Sequence, residues 1–120
     1  MIFGTGVDII EIARIAQAVT KEEFWKRVYT PLEWTAAKGL AFHLAGCFAA
    51  KEALLKAMGT GLAGFSWLEM EVRHEPSGAP YLQVSGKVAQ FLAAQKVARI
   101  HLSISHSKEN AIAQVILETL

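Results

Sequence analysis

One cysteine, Cys47, is all that the 120 residues contain. That excludes an intramolecular disulfide and a cysteine-built zinc cluster, and it suits a reducing, cytoplasmic setting. Net charge is almost absent too: 12 Lys and Arg against 11 Asp and Glu leave +1. The chain therefore offers no global basic field for nucleic acid and no acidic tail, and any anionic partner has to be met locally. No apolar run reaches the roughly 18 residues of a membrane span. The opening Met-Ile-Phe-Gly-Thr-Gly lacks the basic start and apolar run of a signal peptide. The expectation is no membrane, no nucleic acid and, with no internal repeat, low-complexity tract or linker, a single domain over residues 1–120.

What is present is apolar. Hydrophobic residues make up 52% and charged residues 19%, which excludes disorder and leaves more apolar surface than a small monomer hides easily. Oligomerisation is the expected remedy.

The densest stretch runs from Leu44 to Met58, with five strong apolar residues, five alanines and a glycine. A helix here has no broad polar face, yet it carries Lys51, Glu52 and Lys56. Lys51 falls in the arc of Leu44, Phe48, Leu55 and Met58, with Glu52 and Lys56 one turn apart at its edge. Two readings stand. In one, Glu52 and Lys56 form an i, i+4 pair of about 0.2–0.5 kcal/mol while Lys51 snorkels to the surface. In the other, the ammonium groups await phosphates and the carboxylate a divalent cation, with Ala45, Ala49 and Ala53 letting another backbone or a ligand approach.

Along the chain, Ile2 to Ile10 reads as a strand with Ile2, Gly4, Gly6, Asp8 and Ile10 on one face. A carboxylate among isoleucine and glycine needs a partner: Asp8 is either paired or metal-bound, or it caps the next helix. Helices are expected over Glu11–Val19, over Lys21–Tyr29 with Thr20 and Glu23 as a capping box, and from Pro31. Arg14, Lys21, Lys26 and Arg27 are interleaved with Glu11, Glu22 and Glu23, which reads as a solvated mixed-charge face. The central helix starts at Ala41 or Phe42 and ends at Gly59. A strand over Trp67–His74, the turn Pro76–Pro80 and a strand over Tyr81–Val84 form a hairpin. A helix over Lys87–Lys96 follows, then strands over Ile100–His106 and Ala111–Leu117. Ser103, Ser105, His106 and Ser107 gather hydroxyls around a histidine at a strand end. That suits a phosphate or ribose, or a histidine satisfied by turn backbone groups. The order makes an α+β fold.

Three stretches carry a resemblance: Gly6-Val7-Asp8-Ile9-Ile10-Glu11-Ile12-Ala13-Arg14, Phe48-Ala49-Ala50-Lys51-Glu52-Ala53-Leu54-Leu55-Lys56-Ala57-Met58-Gly59 and Leu102-Ser103-Ile104-Ser105-His106-Ser107. With Ser77-Gly78-Ala79-Pro80, they resemble the small, stand-alone holo-acyl-carrier-protein synthases among the 4′-phosphopantetheinyl transferases, in order over nearly the whole chain. The resemblance implies an enzyme of fatty-acid biosynthesis that moves the phosphopantetheine arm of coenzyme A onto a serine of apo acyl carrier protein. Adenosine 3′,5′-bisphosphate would be released. It implies that Asp8 and Glu52 hold Mg²⁺, that Lys56 sits against the pyrophosphate while Lys51 serves phosphate or structure, and that Ser105 and His106 lie at the 3′-phosphoadenosine end. Glu52, or a metal-bound water it orients, is the candidate acceptor of the serine proton. Arg14 would meet the acidic carrier protein, and the assembly would be a homotrimer with active sites between protomers.

One departure stands out. The family commonly has arginine before the phenylalanine at position 48, where this chain has Cys47, and Lys38 and His43 are the nearby donors left. Weaker coenzyme A binding is expected, and a competing reading is a non-catalytic coenzyme A or carrier-protein binding module.

Overall fold

Two glycines decide how the layers meet. The computed structural model describes Met1–Leu120, and its first strand, β1 (Ile2–Glu11), lays Gly4 and Gly6 against the central helix. A Cβ on Gly6 would stand 2.0 Å from the Ala53 carbonyl oxygen, and one on Gly4 would stand 2.1 Å from that of Ala57. Any side chain there would push the layers apart. Of the alanines anticipated for close approach, Ala53 meets Gly6, and Ala45 and Ala49 are fully buried as well.

Three antiparallel strands form the main sheet in the order β1, β5 (Asn110–Thr119), β4 (Val97–His106). Asp8 lies opposite Ala113, which on its other side faces Ile104. The alternation in β1 holds, with Gly6 buried and Asp8 and Ile10 half-buried, while Val7 and Ile9 are exposed. A separate hairpin pairs β2 (Met70–His74) with β3 (Pro80–Val84).

The helices are α1 (Ile12–Ala18), α2 (Glu22–Val28), α3 (Pro31–Ala37), α4 (Ala41–Met58) and α5 (Gly86–Ala94). α4 crosses the inner face of the sheet and stops where Gly59 takes a φ of 77°, a left-handed turn that glycine adopts freely. No helix is long and apolar enough to cross a membrane.

The expected order of elements is present, with three local differences. Thr20 does not cap α2: its hydroxyl donates to the Gln17 carbonyl at 2.7 Å, closing α1, and α2 starts from Lys21 without a side-chain cap. The capping box sits one helix later, where Thr30 and Glu33 exchange bonds at the start of α3. Trp67–Glu69 is a 3₁₀ turn rather than strand, which buries Trp67 and exposes Leu68, the reverse of a strand's alternation.

Candidate active site

The glycine-to-alanine contact brings β1 and the C-terminal half of α4 together, so Asp8 arrives beside the last turns of the helix. Lys56 reaches across rather than along its own helix. Its Nζ donates to Asp8 Oδ1 at 3.1 Å and to the Val7 carbonyl at 3.0 Å. It forms no ion pair with Glu52 within 4 Å, so the i, i+4 reading gives way. Nor does Asp8 cap α1, whose N-cap residue is Glu11 with no side-chain bond.

Glu52 is half-buried on the same side. Burial is the first cause that lifts its pKa above the ordinary carboxylate range, the charge of Asp8 adds to it, and Lys56 opposes. Two carboxylates thus crowd one another with a single ammonium between them, and that ammonium is itself about half exposed. Asp8, Glu52 and Lys56 are the expected residues that the fold brings together.

Lys51 goes elsewhere: of its two expected roles, coenzyme binding and structure, its contacts fit the structural one and leave no room for the other. Its side chain has no exposure. Nζ donates to Glu33 Oε1 at 2.7 Å, to the Val28 carbonyl at 2.6 Å and to the Trp67 carbonyl at 3.1 Å. All three ammonium protons are used, leaving none for a phosphate. Glu33, equally buried, also accepts from the Thr30 amide at 2.9 Å and the Val72 amide at 2.7 Å. The pair pins α3, the 3₁₀ turn and β2 to α4. Desolvation pulls the Lys51 pKa down and the Glu33 charge counters it.

His106 and Ser105 are neighbours in sequence on opposite faces of β4. His106 follows the α4-facing row of Ile100, Leu102 and Ile104, while Ser105 stands with His101 and Ser103 on the outer face. His106 is not held by the turn, where the Asn110 amide bonds the Ser107 hydroxyl instead. Its ring stacks on Phe42 with centroids 4.6 Å apart. Together with His43, Gly46, Cys47, His74, Gly78, Pro80 and Ile104, these rings line a cavity of about 210 Å³ at the N-terminal half of α4. Cys47 is buried there, its thiol pushed up to about 12, first by burial and then by Glu33. It is a neutral group and supplies no charge.

Arg14 is exposed on α1. Of its basic neighbours, Lys26 is paired with Glu22 one turn away, as a mixed-charge face requires.

Residues 4–116 match the model of the 4′-phosphopantetheinyl transferase superfamily. The chain belongs to that family. It is 45% identical to the holo-[acyl-carrier-protein] synthase of Koribacter versatilis, over 98% of this chain and 99% of the relative. It is 47% identical to that of Shouchella clausii, over 99% of this chain and the full relative. Among solved structures, a holo-(acyl-carrier-protein) synthase from Bacillus anthracis in complex with CoA (3′,5′-ADP) superposes with a TM-score of 0.83 at 44% identity, covering 100% of this chain and 99% of the other. The Helicobacter pylori synthase in complex with coenzyme A gives 0.86 at 32% identity, covering 95% and 99%. As a phosphopantetheinyl transferase the chain is an enzyme, and the α+β fold expected from the element order is the fold of these structures.

Proposed function

We propose that this transferase moves the 4′-phosphopantetheine arm of coenzyme A onto a serine of apo acyl carrier protein. The observation that carries the reading is the convergence of Asp8, Glu52 and Lys56 where β1 meets α4. The serine oxygen attacks the phosphorus that bears the pantetheine arm. The bond from that phosphorus to the remaining phosphate breaks, and adenosine 3′,5′-bisphosphate leaves with the bonding electrons.

Asp8 and Glu52 suit Mg²⁺: a hard cation taken by one or two carboxylates plus phosphate oxygens would offset both the burial and the Asp8 charge that raise the Glu52 pKa. When bound, it supplies charge neutralisation at the pyrophosphate. Lys56, already half exposed beside Asp8, turns its ammonium to the same phosphates. Glu52 orients the serine hydroxyl and takes its proton, directly or through water.

The homotrimer with sites between protomers is part of the same reading. Val7 at 53%, Ile9 at 64% and Ile112 at 39% exposure make an apolar outer sheet face, and Asp8 lies between the first two on the same strand. Three copies of the 13.1 kDa chain in sedimentation equilibrium would agree, and a monomer at assay concentration would count against it. Ser105 stands on that outer face, Arg14 remains the contact for the acidic carrier, and a cytoplasmic setting matches the single unpaired thiol.

The test is to incubate the protein with apo carrier protein, coenzyme A and Mg²⁺ and to weigh the carrier. A gain of one phosphopantetheine is expected. An unchanged mass across several carriers would refute the transferase reading, leaving a binding module.

A further inference from the structure

Burial nearly all round leaves α4 without a wet side to fix its rotation: 12 of its 18 residues are buried. An ordinary surface helix is turned by its polar face, and this one has no such face. The row that meets β1 through Ala53 and Ala57 continues as Ala49 and Ala45 at the same four-residue spacing. It therefore presents the same surface after a shift of one turn. Gly4 and Gly6 oppose it without side chains, so no knob enters a hole there. Contact of this kind sets how near the layers lie and leaves their axial register weakly specified.

The polar ties on the other side of the helix do specify it. Two residues at about 100° each put Ala53 on the far side from Lys51. Lys51 Nζ is held by the Val28 carbonyl at the end of α2, by Glu33 on α3 and by the Trp67 carbonyl in the 3₁₀ turn, three anchors from three segments. A second tie lies two turns back, where the Tyr29 hydroxyl donates to the Leu44 carbonyl at 2.8 Å. The α2–α3 junction thus grips α4 at two points about 10 Å apart along its axis. Every buried side-chain polar atom has a partner, so a shifted helix would strand several of them at once.

We infer that the Lys51–Glu33 pair, with Tyr29, is a registry lock that sets where α4 carries Glu52 relative to Asp8. Lys51 and Glu33 are then positioning residues, which touch no substrate and act through Glu52. The part given to Glu52 in the chemistry rests on the transferase reading. Glu52 directly follows Lys51, so one residue of slip carries it about 1.5 Å along the axis and turns it by about 100°. A misplacement of about 1 Å costs a reaction between aligned groups about 10²-fold. Lys56 is less sensitive: long and about half exposed, its side chain follows a shift of the backbone, whereas the shorter, half-buried Glu52 does not. A buried ion pair stabilises little beyond apolar residues of the same volume, and fixing register is the use that accounts for one here.

The test uses Lys51→Met/Glu33→Gln, which removes both charges together and keeps one side-chain oxygen for the Thr30 or Val72 amide. Glu33→Gln alone is the milder variant that decides the matter should the double one not fold. Transfer to apo carrier protein is measured well below each melting temperature. The double variant is expected to lose about 10²-fold in kcat with KM for coenzyme A within about threefold of the parent's, and Glu33→Gln to show a smaller loss of the same kind. A kcat within about twofold of the parent's in a folded variant would overturn the inference, since a merely stabilising pair leaves the folded enzyme as fast as before. Amide hydrogen exchange on the same samples supplies a readout without chemistry: exchange over Phe48–Lys56 should rise about tenfold relative to β5. Equal acceleration in α4 and β5 reports global stability alone and would also overturn the lock. The two readings fail separately. Parental mass gain with an unaffected kcat in the variants sinks only the lock, whereas selective loosening of α4 in variants of a parent that modifies no carrier sinks only the transferase.

Discussion

Lys51 and Lys56 stand five residues apart on one helix, each beside a carboxylate, and they do opposite work. Around Lys51 every polar group is matched: three acceptors meet the ammonium, and both oxygens of Glu33 take backbone amides. Around Lys56 the charges are not matched, since Asp8 and Glu52 repel one another beside one half-exposed cation, and burial together with the Asp8 charge raises the proton affinity of Glu52. A buried, satisfied pair fixes structure. A partly exposed cluster with excess like charge is set up to receive something of opposite sign.

The largest expected effect comes from breaking the matched side. Lys51→Met leaves Glu33 charged and buried, which costs about 3–5 kcal/mol of stability, read by urea unfolding. Melting within a degree of the parent would mean that the pair is not the tie it appears in its hydrogen bonds. On the unmatched side, Asp8→Asn should lower carrier modification by about 10²- to 10³-fold while the melting temperature stays near the parent's. A rate within a few-fold of the parent would remove Asp8 from the site.

The contrast also has a pH signature. Glu52 binds its proton more tightly in the folded chain than in the unfolded one. Its contribution to stability is therefore gained as pH falls through the raised pKa and lost toward neutrality. Glu52→Gln should accordingly melt at or above the parent at neutral pH, and the gap should close on acidification. A gap that widens in acid would reverse the assignment. Smallest is the stability effect of Lys56→Met, within about 1 kcal/mol because the ammonium is half exposed, although the KM for coenzyme A should rise about tenfold. A large loss of stability would make Lys56 a second Lys51.

Much of this was legible in the residues, and the gaps have physical causes. Period-two alternation in β1 and the run of small residues in α4 announced a close-packed pair of faces, because glycine and alanine leave no other way to pack. That Lys51 is buried was readable from its arc on the helix. Its partner was not, since Thr30 and Glu33 form a local capping box while the same Glu33 carboxylate also reaches Lys51 through tertiary packing. Ser105 and His106 looked like one cluster in sequence, but strand geometry sends adjacent side chains to opposite faces. The histidine cavity was beyond reach for another reason: nothing in a linear pattern says that the β2–β3 hairpin lies over the start of α4.

The division of labour on α4 is tested most directly by Glu52→Gln at neutral pH, with melting temperature and carrier mass gain taken from the same sample. The expected result is a melting temperature equal to or above the parent's together with loss of nearly all phosphopantetheine transfer. Transfer at the parental rate, or a fold that collapses along with the activity, would contradict it.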